Sequence, residues 1–313
     1  MAKIIKVTAA VDPSIVRQIL SGKRDIPPVL SISLTDRNKT QANSKLGSLF
    51  SKFTGFITKA VNSFSLLNII NARFVSVSRN TASDTPYDHF AVKIPSTDGV
   101  SLHGLFFPHE NSDKVVLYLK GGEGTIGLWY KAALGLQENV PANFLIADYR
   151  GYGKSPGSPT VKGLIDDTFA MYKYLVYERG FKPENISLYG RSLGGSLALE
   201  LASKVKVRSV IVQSSFSSLG DLFRRAIPFM PQFFSDFIAG DSLNSKSLIQ
   251  KVKVPILIGH GSKDPIVPKA QALKLYNHAN EPKKLIILEG ADHSHLRKYF
   301  TEEYYAVLRQ LIV

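Results

Sequence analysis

From residue 114 onward the chain alternates short, almost unbroken apolar runs with stretches of helical period, and this constrains its fold more than any other feature. The runs are KVVLYL, NFLIADY, NISLYG, RSVIVQS, PILIGH and KLIILEG. A strand covered on both faces reads this way, because neither side of it can tolerate polar residues. Candidate helices fall between and after them, at 128–138, 161–179, 193–204, 268–279 and 301–312. Strand–helix alternation implies parallel pairing through crossover helices, with helices on both faces of one sheet. Upstream, HFAVKI and VSLHGLFF flank the turn STDGV and read as an antiparallel hairpin. The expected architecture is α/β, a sheet of about eight mostly parallel strands flanked by helices.

Two segments break the pattern. Between RSVIVQS and PILIGH the spacing stretches to about forty residues, too long for an ordinary connection. This insertion, at about 217–250, carries Phe223, Phe229, Phe233, Phe234 and Phe237 among prolines. It reads either as a packed helical excursion or as a short helical lid whose Phe223 and Phe229 meet the substrate. The second segment is residues 1–85, which hold twelve basic and four acidic residues within a chain of net charge +14. Residues 1–45 lack an apolar period. At 46–70, Leu46, Phe50, Phe53, Ile57, Val61, Phe64 and Leu67 recur every three or four positions, the period of an amphipathic helix. Lys45, Lys52 and Lys59 share another face. Such a helix either docks on the main domain or rests on an anionic membrane surface. The domain boundary is expected near residue 86, with the catalytic domain at 86–313.

Cysteine is absent from the 313 residues, which excludes a disulfide framework, a thiol nucleophile and cysteine-based zinc sites. No nucleic-acid-binding signature accompanies the basic excess, so no nucleic-acid partner is expected. No run approaches the 18 apolar residues of a membrane-spanning helix, and the start does not read as a signal peptide. A cytoplasmic or peripheral membrane location is expected, and export by a non-classical route stays open.

Chemistry enters at Gly190-Arg191-Ser192-Leu193-Gly194, directly after NISLY and directly before SLALELASK. A G-x-S-x-G pattern is weak alone, but a strand-to-helix turn is the setting that lifts a serine oxygen above the sheet. The amide of Leu193, at the start of the helix, would then face a bound carbonyl. A serine hydroxyl needs a base and a group to orient that base. Asp264 follows the strand PILIGHG, and His293 follows KLIILEG. The order Ser192, Asp264, His293 is the one this architecture uses. His295 is the rival base, and His260 is expected to be structural. Asp166 and Asp167 are expected to be helix-surface charges, and no carboxylate–histidine cluster has metal spacing.

On the strength of DYRGYGKSPGSPTVKGLIDD at 148–167, GRSLGGSLALELA at 190–202 and HGSKDPIVP at 260–268, residues 87–313 resemble an α/β-hydrolase. Within that fold they look like the branch of small serine hydrolases containing the bud-emergence-type proteins and the protein depalmitoylases. The resemblance implies no metal and no organic cofactor. It also implies a second oxyanion amide, here that of Gly122, in a loop that in the family usually reads His-Gly. This chain departs from it with Lys120-Gly121-Gly122-Glu123-Gly124, where Lys120 is either a tolerated substitution or a contact for an acidic group on the substrate. Hydrolysis of a carboxylic ester or thioester in a small-molecule, lipidic or acylated substrate is the leading expectation. A serine peptidase and a catalytically idle binding protein are the alternatives.

Overall fold

The computed structural model describes residues 90–218, 220–221 and 243–313. The extension at 1–85 with its helix at 46–70, the lid reading, Phe223 and Phe229 lie wholly or mostly outside the described residues.

Eight strands form one sheet: β1 (Ala91–Pro95), β2 (Ser101–Phe107), β3 (Val115–Leu119), β4 (Asn143–Ala147), β5 (Ile186–Arg191), β6 (Ser209–Gln213), β7 (Ile256–Gly261) and β8 (Lys283–Leu288). Their order is β1-β2-β4-β3-β5-β6-β7-β8. The hairpin β1–β2 pairs antiparallel, β2 joins β4 antiparallel, and every pairing from β4 to β8 is parallel. Of the six strands read as continuous apolar runs, β3 to β7 are buried at every position, whereas the sixth, β8, is not covered on both faces because it lies at the sheet edge. The edge strands β1 and β8 are only partly covered, in keeping with the lysines they carry.

Six helices complete the described residues: α1 (Ile126–Gln137), α2 (Val161–Lys173), α3 (Leu193–Ala202), the short α4 (Ser245–Ile249), α5 (Lys269–His278) and α6 (Glu302–Ile312). The helix expected over 161–179 ends instead in a π turn at Tyr174–Glu178. The caps are local. Thr160 accepts from the Gly163 amide at 3.0 Å to start α2, and Thr301 caps α6 ahead of Glu302 and Glu303.

Side chains alternate across a strand, and the core divides accordingly. Leu117, Leu188, Val210 and Ile258 point to one face, covered by Leu164 and Met171 of α2, Leu197 of α3 and Leu275 of α5. Val116, Tyr189, Ile211 and Leu257 point to the other, covered by Ile126 and Leu136 of α1 and Tyr304 and Leu308 of α6. Truncating any of the fully buried leucines to alanine is worth about 2–5 kcal/mol. This double covering holds the parallel strands in register, so the loops after β3, β5, β7 and β8 leave the same edge of the sheet, where ligands bind in open α/β folds.

Candidate active site

Ser192 is the only residue between β5 and α3. Its backbone sits at φ 52° and ψ −116°, a region that L-residues rarely occupy. The neighbourhood holds it there. The Ser192 amide donates to Gln213 O at 2.9 Å, and its carbonyl accepts from Ser215 Oγ at 2.8 Å and from the Gly195 amide at 3.0 Å. The flanking glycines are required by close approach. A Cβ on Gly190 would lie 2.2 Å from Gly194 O, and one on Gly194 would lie 1.9 Å from Leu119 O. The G-x-S-x-G spacing is therefore the imprint of helix, strand and neighbouring strand meeting at one point. Leu193 opens α3, at the end of a helix whose first amides have no partner further back in the helix.

Asp264 lies in the loop after β7 and is almost fully buried. Its Oδ1 accepts from the amides of Ile266 at 2.9 Å and Val267 at 2.8 Å, so the loop folds around the carboxylate. Its Oδ2 lies 2.6 Å from Nδ1 of His293, in the loop after β8. A carboxylate only accepts, so Nδ1 carries the proton and Nε2 is the free nitrogen of the ring. His260, fully buried, donates from Nε2 to Val267 O at 2.7 Å and stands 3.5 Å from Asp264 Oδ2. Burial pushes its pKa down, so it braces the Asp264 loop as a neutral ring. His295 turns to Asp292 instead, with Nδ1 2.9 Å from Oδ2, and is largely exposed.

The loop after β3 runs beside the serine: a Cβ on Gly121 would come within 3.7 Å of Ser192 Cβ. Gly122 O accepts from Tyr152 Oη at 3.0 Å. Lys120 is fully buried, which does not fit the reading of it as a substrate contact and leaves that of a tolerated substitution. Its Nζ donates to Gly124 O at 2.9 Å and lies 3.7 Å from Oδ1 of Asp148, which is also fully buried. The ammonium sits over the rings of Tyr152 and Tyr149, with centroids at 3.9 and 5.0 Å. Every partner of this charge lies inside the protein, so it holds the loop and presents nothing to a ligand.

The segment 148–159 is tied down by Arg150. Its Nη2 and Nε donate to Asp167 Oδ1 at 2.7 and 3.0 Å, its amide donates to Asp167 Oδ2 at 2.7 Å, and Nη1 reaches Asp98 Oδ2 at 2.5 Å. Asp167 is thus fully buried, which corrects its reading as a surface charge. Asp166 is the surface member, paired with Lys162 at 2.6 Å. Sequence reasoning also missed Arg191, which donates from Nη2 to His293 O while its guanidinium lies 4.9 Å from the Trp129 ring centroid. Trp129 Nε1 in turn donates to Glu123 O at 2.6 Å. Serine turn, histidine loop and glycine loop are joined through these two side chains. Arg191 carried a signal, being the one charged residue inside the glycine–serine turn.

Among the described residues no group of three or more His, Asp or Glu side chains could hold a metal ion, and no helix is long and apolar enough to cross a membrane.

A family profile described as the alpha/beta hydrolase fold matches residues 114–249. The chain is 30% identical over 227 residues to the uncharacterized protein YfhR of Salmonella typhi, covering 67% of this chain and 76% of that one. It is 29% identical over 202 residues to the human alpha/beta hydrolase domain-containing protein 17B, covering 64% of this chain and 67% of that one. Among solved structures, the Pyrococcus furiosus esterase Pf2001 superposes with a TM-score of 0.61 at 23% identity, over 74% of this chain and 94% of that one. Est1E of Butyrivibrio proteoclasticus, solved with ferulic acid bound, gives 0.60 at 20% identity, over 71% and 99%. The serine turn between β5 and α3, the parallel sheet that presents it and these similarities together make the chain a member of the α/β-hydrolase superfamily.

Proposed function

We propose that the protein is a serine hydrolase that cleaves carboxylic esters or thioesters of lipidic or acylated substrates through Ser192, His293 and Asp264. The observation that carries this reading is the 2.6 Å bond between His293 and Asp264, made by two loops that leave the sheet at the same edge as the strained Ser192. Ser192 Oγ attacks the carbonyl carbon as His293 Nε2 takes its proton. The carbonyl π electrons move onto oxygen, and the amides of Leu193 and Gly122 receive that charge. Collapse breaks the bond to the alcohol or thiol, which leaves with the proton from His293 and gives an acyl-enzyme. Water then repeats the sequence, releasing the acid and restoring the serine. Asp264 holds Nδ1 protonated throughout and stabilises the imidazolium.

Two features support an apolar acyl group. Leu128, beside the glycine loop, and Ile266, two residues after Asp264, are both large, apolar and exposed. The phenylalanines 223 and 229 of the insertion follow in sequence from β6, next to the serine turn in the sheet. The stripe at 46–70 with its lysine row supports delivery to an anionic membrane, each lysine near the surface adding about 1 kcal/mol.

The test is turnover of nitrophenyl esters and acyl thioesters of graded chain length by the wild type and Ser192→Ala. Turnover that needs Ser192 and grows with chain length supports the reading. Turnover of aminoacyl amides without ester turnover points to a peptidase, and no turnover of either class points to a binding protein. Co-sedimentation with acidic vesicles at low salt, compared with neutral vesicles and with high salt, tests the membrane part. Equal sedimentation in all three refutes it.

A further inference from the structure

Beneath the proposed site lies a buried ion pair to which the reaction gives no task, at the position where the resembling family carries histidine. Resting on the hydrolase reading above, we infer that Lys120 is the positioning residue of the oxyanion hole. Its ammonium, set between Gly124 O and Asp148, locks the loop from Lys120 to Gly124 so that the Gly122 amide meets the charge forming on the substrate oxygen.

The loop's carbonyls show how it is fixed. Lys120 O accepts from Tyr149 Oη at 3.0 Å, Gly122 O from Tyr152 Oη at 3.0 Å, Glu123 O from Trp129 Nε1 at 2.6 Å, and Gly124 O from Lys120 Nζ at 2.9 Å. Along the chain the Gly122 amide falls between the pinned carbonyls of Lys120 and Gly122. Of these four donors Lys120 is the one that carries charge, and a charged donor makes the stronger bond. It also lies over the rings of both tyrosines that hold the loop, so the same ammonium packs against them. Asp148 completes the link, because its Oδ1 accepts from the Ile126 amide at 2.9 Å and so ties the charge to the start of α1, just past the loop. An oxyanion donor acts through its placement, and displacement by about 1 Å is enough to cost on the order of 10²-fold in rate.

The titratable groups facing Lys120 are Asp148 at the end of β4 and the phenols of Tyr149 and Tyr152 in the following loop, with Asp167 and Tyr118 near Tyr149. Burial raises both phenols, so they stay protonated well into the alkaline range. Burial also pulls the Lys120 ammonium down to about 8, against the opposing pull of Asp148. Raising the pH through that value removes the charge that holds the loop, weakens the bond to Gly124 and leaves Asp148 without a counter-charge.

The experiment is steady-state hydrolysis of a short-chain nitrophenyl ester by the full chain from weakly acidic to strongly alkaline pH. Wild type and Lys120→Met are compared, each with fluorophosphonate labelling and a thermal melt. Wild-type kcat is expected to fall on an alkaline limb centred at about 8 while KM stays flat. Lys120→Met is expected to lose about 10²-fold in kcat near neutrality with KM within about twofold, and to lack the limb. A folded Lys120→Met with wild-type kcat and pH profile overturns the inference. If that variant fails to fold, the wild-type profile decides alone, and a kcat flat across the alkaline range overturns it. Wild type that neither labels nor turns over ester sinks the hydrolase reading, and this inference falls with it. Wild type that labels while Lys120→Met matches it sinks only the positioning role.

Discussion

Replacing Asp264 by asparagine separates the chemical task of this carboxylate from its architectural one. The side chain accepts three hydrogen bonds, two from the amides of Ile266 and Val267 through Oδ1 and one from His293 Nδ1 through Oδ2. Asparagine keeps an oxygen for the two amides and places an NH₂ where Oδ2 stood. That group can only donate, so Nδ1 of His293 must become the acceptor and the ring proton moves to Nε2. The nitrogen that should take the serine proton is then already occupied. For a triad of this kind the expected loss is about 10⁴-fold in kcat. That corresponds to about 5.5 kcal/mol of transition-state stabilisation at 1.36 kcal/mol per decade. Asp264→Ala differs in kind, because it also strands two amides at about 1–3 kcal/mol each and lowers the melting temperature. The assay is kcat/KM on a nitrophenyl ester with a thermal melt of each variant. An Asp264→Asn enzyme within tenfold of wild type refutes the chemical role. Equal destabilisation by Asn and Ala refutes the division between the two tasks.

Ser192→Ala and His293→Ala each lose on the order of 10³-fold or more in ester hydrolysis, and the double variant is no worse than either, because the two act as one unit. His295→Ala stays within about twofold of wild type, since its ring is bound to Asp292; the reverse pattern for the two histidines would show that the base is misassigned. Gly194→Ala lowers stability by about 3 kcal/mol or more, because its Cβ would lie 1.9 Å from a backbone oxygen, and an unchanged denaturant midpoint contradicts that reading of the turn. Asp167→Ala leaves the Arg150 guanidinium without its main partner and costs about 3–5 kcal/mol, measured by denaturant unfolding. Were Asp167 a surface charge, the same substitution would be nearly silent.

The sheet was legible because each parallel strand is a short apolar run set between stretches of helical period, although the run of β8 did not reveal that it is an edge strand covered only in part. The exchange of β3 and β4 in the strand order was not legible, since local sequence does not say which flank of the growing sheet a crossover reaches. Ser192, Asp264 and His293 could be singled out because they lie one, three and five residues past the ends of β5, β7 and β8, in loops at one edge of the sheet. The burial of Lys120 and of Asp167 was not legible, for one shared reason. A lysine or aspartate is ordinarily solvated, and its burial depends on a partner that only folding brings near, Asp148 for the one and Arg150 for the other. Arg191 and Trp129 were passed over because neither is a nucleophile, acid or base, yet they join the three loops around the serine.

The proposed hydrolase requires a nucleophilic Ser192 activated by His293. That requirement is tested most directly by treating the full chain with a fluorophosphonate and locating the adduct by peptide mass spectrometry. The expected result is a single phosphonyl adduct on the peptide holding Gly190 to Gly194, on Ser192, absent from Ser192→Ala and strongly slowed in His293→Ala. A folded wild-type protein that acquires no adduct there, or one that labels equally well without His293, contradicts it.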